Sequence, residues 1–231
     1  MKIFVLTLSL ALSFKTLAQA PLKIIHVGDS QSVGHYGSQL NQHLKTIPGA
    51  EVSSFASGGS GAENWVTGKA TEWDYYEHRH GQTKPVRKKN QPTPRLDVLL
   101  KNDKEIEQVA VVQLGGNMLA RSDEYNKEWI KKVVDAIKNS GSRCIWVGPS
   151  NRRTNSDKMA NFYRLLTSSL KESDCYLVDS RKYTSYPRVI GDGVHFNYFG
   201  GDLVTSHWAK KTFDELTAHL AQERFADSQE K

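Results

Sequence analysis

Short apolar runs alternate with amphipathic stretches along most of the chain, and that alternation predicts one parallel sheet covered by helices on both faces. Leu22 to Val27 is the first run and enters a tight turn at Gly28-Asp29-Ser30. Ser32 to Ile47 then places Val33, Tyr36, Leu40, His43, Leu44 and Ile47 at helical spacing, and Pro48-Gly49 stops it. Val52 to Ala56 reads as a second strand, followed by the small-residue loop Ser57-Gly58-Gly59-Ser60-Gly61. Gln108 to Leu114, Arg143 to Gly148 and Tyr176 to Asp179 read as the remaining strands. Helices are expected over Glu124 to Asn139, with Gly141 closing it, over Asp157 to Glu172 behind Asn155 or Ser156, and from about Asp202 to Phe225 before a polar, frayed tail.

Two segments break the pattern. Residues 1–20 open with Lys2, continue through the mostly apolar Ile3 to Phe14 and end at Ala18-Gln19-Ala20, which is the layout of a secretory signal peptide. Residues 21–231 are then expected to form a single exported domain, periplasmic or extracellular, with no stable membrane insertion once the leader is gone. Val66 to Arg95 is a polar insertion holding Trp73, Tyr75, Tyr76, His78 and His80 and continuing into Lys84, Arg87, Lys88, Lys89 and Arg95. A structureless loop of that length is uncommon, so it is either a cover for a site or a solvated excursion.

The chain has 231 residues, 38% hydrophobic and 24% charged, which suits a globular domain with a full core. Its formal charge of +6 becomes +4 without Lys2 and Lys15. That balance tolerates an acidic polymer as partner. No zinc-finger spacing or RNA-binding signature accompanies it, so nucleic acid is not expected. Cys144 and Cys175 each stand at the start of a predicted strand, and in an exported chain they can be bridged or remain two buried thiols.

In an open parallel sheet the ligand crevice lies outside the carboxyl ends of the strands. Four connections leaving strand ends carry unusual residues: Gly28-Asp29-Ser30, Ser57-Gly58, Gly115-Gly116-Asn117 and Asp192-Gly193-Val194-His195. A serine hydroxyl needs a neighbouring base to become a nucleophile, imidazole suits that task near neutrality, and a carboxylate on the other ring nitrogen fixes its tautomer. Ser30, His195 and Asp192 are the candidates for those parts. The backbone N–H groups of Ser30 and Gly58, with the Asn117 side chain, are the candidate oxyanion donors, with Gly61 as the substitute for Gly58. Asp29 is expected to brace the turn. His80 also follows an acid, Glu77, and His219 follows Glu215, but the first pair lies in the insertion and the second inside a predicted helix.

Each block alone has an ordinary explanation as a cap or turn. Together and in this order they resemble the SGNH or GDSL-type serine hydrolases: Gly28-Asp29-Ser30, Gly58, Gly116-Asn117 and Asp192-x-x-His195 match the family's blocks, and Gly200 or Gly201 its helix-opening glycine. Gln31, Met118 and Phe196 depart from the commoner residues and mark a divergent member, while Gly-x-Ser-x-Gly fails at Ser32. The resemblance implies a three-layer α/β/α sandwich, flavodoxin-like, with a five-stranded parallel sheet of order 2-1-3-4-5. The last two strands would then be neighbours, which supports a Cys144–Cys175 bridge. It also implies a serine esterase working through an acyl-enzyme, with no cofactor and no metal. Export and the aromatics Trp65, Trp73, Tyr75 and Tyr76 favour a carbohydrate O-acyl (acetyl) esterase acting on a small-molecule ester or an acylated polysaccharide, with Trp65 and Trp73 as the substrate contacts. The alternatives are an O-acyltransferase, a lipase or thioesterase with the same triad, and an inactive polysaccharide-binding protein.

Overall fold

The computed structural model describes residues 21–101 and 106–229, so the expected leader lies outside the described residues. Strand β1 (Leu22–Gly28) leads into a one-turn helix α1 (Ser30–Val33) and α2 (His35–Leu44). Strand β2 (Ala50–Ser57), helix α3 (Ala62–Thr67), strands β3 (Asp74–His78) and β4 (Val86–Lys89) and helix α4 (Leu96–Leu99) follow. The second half runs β5 (Glu107–Gln113), α5 (Asp123–Asn139), β6 (Arg143–Val147), α6 (Ser156–Lys171), β7 (Tyr176–Val178), a 3₁₀ turn (Ser180–Lys182) and α7 (Gly201–Gln229).

The sheet order is β4-β3-β2-β1-β5-β6-β7. Its five parallel strands, β2-β1-β5-β6-β7, stand in the order expected of the five apolar runs. Alternation along them sorts side chains between two faces. Leu22, Ile24, Val109, Val111, Ile145 and Val147 meet Tyr36, Leu40, Trp208 and Leu216 of α2 and α7. Ile25, Val27, Ala110, Val112 and Trp146 meet the layer built from α3 to α6, including Trp65, Ile130, Val133 and Phe162. Both faces are therefore apolar, which is why these strands read as runs rather than as alternating patterns.

The sheet has seven strands instead of five, because Val66 to Arg95 is not a plain insertion. Val66 and Thr67 finish α3, and β3 and β4 then pair antiparallel beyond β2. Strand β4 reads Val-Arg-Lys-Lys and has no apolar face to betray it. Such charge on an outermost strand discourages pairing with another molecule. Tyr75 and Tyr76 are buried, one on each face of β3.

The helix expected over Ser32 to Ile47 is divided at Gly34, whose N–H donates to the Ser30 carbonyl in an extended conformation. Restarting there lets α2 press on α1 so closely that a Cβ on Gly37 would lie 1.9 Å from the Ser32 carbonyl oxygen. At the other end α7 runs to Gln229, past the expected stop at Phe225. No described helix is long and apolar enough to cross a membrane.

Cys144 on β6 and Cys175 just before β7 form a disulfide across adjoining strands. With the two cysteines 31 residues apart in sequence, loop-closure entropy makes the bridge worth on the order of 3–4 kcal/mol. A Cys144→Ala/Cys175→Ala chain is therefore expected to unfold at a lower denaturant midpoint, and an unchanged midpoint would show that the bridge does not contribute to stability.

Candidate active site

The carboxyl ends of β1, β2, β5 and β6 and the loop before α7 surround one cavity of about 620 Å³, lined by Ser30, His195, Asn117, Trp73, Arg87 and Arg152 among others. Ser30 is the first residue after the turn that leaves β1. The Asp29 N–H continues the ladder to the Gln113 carbonyl at 3.2 Å. Asp29 then caps α1, its Oδ1 accepting from Gln31 N at 3.0 Å while its carbonyl accepts from Ser32 and Val33. The carboxylate is buried, and burial raises it to about 6 against the opposing Gln31 N–H, Arg152, His195 and Gln113.

Beneath the turn, the Ser32 hydroxyl donates to Gln113 Oε1 at 2.8 Å and lies 3.2 Å from His26 Nε2. With the only hydroxyl proton used on Gln113, the contact requires the proton of His26 on Nε2, and Nδ1 is left without a partner. Burial lowers this histidine to about 4.

His195 arrives 165 positions later in the chain and places Nε2 at 2.9 Å from Ser30 Oγ. Its Nδ1 lies 2.7 Å from Asp192 Oδ2, and Asp192 Oδ1 accepts from the backbone N–H groups of Val194 (2.8 Å) and His195 (2.7 Å). Burial alone would raise the Asp192 carboxyl, but the His195 ring and those two backbone donors hold it down at about 2. The acid and the imidazole face each other with side chains 44% and 39% exposed, so burial does not lock them in place.

Hydrogen bonds to main-chain groups do. Gln31 Nε2 donates to the Val194 carbonyl at 2.9 Å and ties the serine turn directly to the histidine loop. Arg153 and Thr154 donate their N–H groups to the Gly193 carbonyl, and the Arg153 guanidinium donates to the carbonyls of Arg188 and Gly191. The Tyr186 hydroxyl accepts from Gly193 N at 2.8 Å and lies 3.1 Å from the His195 carbonyl. Gly193 has φ +89, and a Cβ there would come within 2.6 Å of Thr154 Oγ1. Arg152, Arg153 and Tyr186 were not singled out from the sequence, although the loop leaving β6 ends on the same sheet edge as the others. Gln31 stood out only as a departure from the family motif.

The oxyanion candidates divide. The Ser30 N–H has no acceptor among the described residues, and Asn117 Nδ2 spends one hydrogen on the Ser60 carbonyl at 2.9 Å, leaving the other. Gly58 requires correction: pairing of β2 with β3 continues one residue past its last register pair, and the Gly58 N–H donates to the Asp74 carbonyl at 2.8 Å. The substitute fares no better, since the Gly61 N–H donates to Asn64 Oδ1 at 3.0 Å. Between them the Gly59 N–H has no acceptor among the described residues, and Gly59 lines the cavity.

The aromatic candidates need correction too. Trp65 is wholly buried, its indole N–H bonded to Ser60 Oγ at 3.2 Å, and belongs to the core under α3. Tyr75 and Tyr76 are also buried. Trp73 is 66% exposed and lies against Gly58 and Gly59, where a Cβ on either glycine would come within 2.8 Å of it.

No family model matches the sequence, and no curated protein matches it. Solved structures do match in fold. The psychrotrophic esterase EstA from Pseudoalteromonas sp. superposes with a TM-score of 0.56 at 12% identity, over 86% of this chain and 98% of that one. TesA gives 0.58 at 13% identity, over 84% and 99%. A member of the lipolytic G-D-S-L family from Veillonella parvula gives 0.53 at 14% identity, over 84% and 98%. The chain has the α/β/α fold of the SGNH and GDSL hydrolases. At such identities the shared property is the fold alone.

His26 offers a test of the buried network. Its folded value near 4 lies below the ordinary 6.5, so the unfolded chain binds the proton first and stability is lost as pH falls from about 6.5 towards 4. The shift corresponds to roughly 3 kcal/mol. Asp29, raised to about 6, works the opposite way between about 4 and 6. The comparison is therefore between wild type and His26→Gln by urea unfolding across that range. The wild type is expected to lose stability relative to the variant as pH falls, and parallel curves would contradict the assignment.

Proposed function

We propose that this chain is a divergent, exported SGNH-type serine esterase acting on O-acyl, chiefly O-acetyl, groups of carbohydrates. The observation that carries the esterase reading is the continuous relay Asp192–His195–Ser30, with contacts of 2.7 and 2.9 Å, opening on the 620 Å³ cavity. Ser30 Oγ attacks the ester carbonyl as its proton passes to His195 Nε2, and Asp192 stabilises the imidazolium that forms. The charge developing on the carbonyl oxygen is met by the Ser30 N–H, the free hydrogen of Asn117 Nδ2 and the Gly59 N–H. The leaving alcohol takes the proton from His195. Water then repeats the sequence on the acyl-enzyme and releases the acid.

Support for a sugar is narrower than the sequence implied and comes from Trp73, the exposed aromatic on the cavity wall. A flat indole suits the apolar face of a pyranose ring. Support for export comes from the signal-like residues 1–20 and from the Cys144–Cys175 disulfide, which belongs in an oxidising compartment.

Two substitutions test the mechanism. Ser30→Ala is expected to abolish turnover of 4-nitrophenyl acetate, and retained turnover would remove Ser30 as nucleophile. Asn117→Ala is expected to lower kcat by roughly 10²–10³, the usual effect of losing one oxyanion donor. A loss below about threefold would take Asn117 out of that role.

A further inference from the structure

Two guanidinium groups line the cavity, and the ester chemistry uses neither. Arg152, on the loop leaving β6, is half-buried and donates Nη1 to the Gly116 carbonyl at 2.7 Å. Its Nε is buried with no hydrogen-bond partner. Its acidic neighbours, Asp29 and Asp192, are committed elsewhere: Asp29 accepts from Gln31, and Asp192 holds His195.

Arg87 comes from β4 on the opposite flank. Its guanidinium carbon sits 5.1 Å from the centre of the Tyr76 ring, and Nη1 lies 3.3 Å from the Val33 carbonyl. Those two contacts fix the head of a long side chain on the cavity wall without neutralising it. Among the described residues no carboxylate forms an ion pair with either arginine. Asp74 is the one carboxylate-bearing residue among those lining the cavity with them.

A planar guanidinium with free N–H groups matches the two oxygens of a carboxylate or phosphate, and such charge-assisted pairs are about twice as strong as neutral hydrogen bonds. Arg152 keeps a buried Nε–H without an acceptor, which is unfavourable, and Arg87 adds a solvent-exposed guanidinium with no ion-pair partner among the described residues on the opposite wall. We propose that the natural ester carries an anionic group, a carboxylate or a phosphate, close to its acylated oxygen, and that Arg87 and Arg152 receive it. On this reading Trp73 faces the sugar ring, the arginines hold its charge, and the ester is presented to Ser30. The proposal rests on the esterase reading and specifies its substrate class.

The test compares acetate release from matched pairs. One pair is O-acetylated polygalacturonate and the same polymer with its carboxyls methyl-esterified; the other is O-acetylated glucose 6-phosphate and O-acetylated glucose. Wild type is expected to favour the acidic member of at least one pair by about tenfold or more in kcat/KM, and the pair that responds identifies the anion. In Arg87→Gln and Arg152→Gln that acid-to-neutral ratio is expected to fall about tenfold, mainly through KM. A ratio is unmoved by a general loss of folded or active enzyme, so a merely structural role for either arginine would leave it unchanged. Equal rates on acidic and neutral members in wild type, or a preference that survives both substitutions, would overturn the proposal while leaving the esterase reading intact. Failure of wild type to hydrolyse any of the four esters or 4-nitrophenyl acetate would overturn both.

Discussion

The arrangement depends on one hydrogen bond between two remote parts of the chain, His195 Nε2 to Ser30 Oγ at 2.9 Å. Nothing local enforces it. An exposed acid–imidazole pair contributes little stability by itself, and both Asp192 and His195 are partly open to solvent. The geometry is instead held by hydrogen bonds to main-chain groups: Asp29 fixes the turn that presents Ser30, Gln31 crosses from that turn to Val194, and Arg153 and Tyr186 hold the loop from behind. Such preorganisation matters more for catalysis than the worth of each contact, because a displacement of about 1 Å can cost roughly two orders of magnitude in rate.

The second constraint is the antiparallel pair β3–β4. By extending the sheet past β2 it occupies the Gly58 N–H, brings Trp73 over Gly58 and Gly59, and delivers Arg87 to the cavity wall. One addition to the parallel sheet thus changes which backbone donor remains free and which side chains line the cavity. The cavity belongs to the fold in its floor, formed by strand ends, and to this chain in its walls.

Much of this was legible in the sequence, for a physical reason. The central strands are buried on both faces, so they appear as apolar runs ending in glycine turns, and chemistry in an open α/β sheet gathers at those ends. That reasoning located Ser30, Asn117, Asp192 and His195 at one edge. What escaped it has no periodic signature. Strand β4 is all exposed and charged apart from Val86, so only its partner β3 defines it. Whether Trp65 faces the core or the crevice depends on the direction in which α3 leaves its loop, and its burial followed from packing against α5, which composition does not encode. The fate of the Gly58 N–H likewise required a register. Arg152 was findable, since it follows the end of β6 as Ser30 follows β1, but an arginine next to another arginine gives no hint that one lines the cavity and the other braces a loop.

The most direct test of the central claim is covalent labelling of the intact protein by a fluorophosphonate, with the modified peptide mapped by mass spectrometry. The account predicts a single adduct on the peptide containing Ser30 and its loss in a folded His195→Ala variant. A wild-type protein left unlabelled, or labelled on another residue, would contradict it.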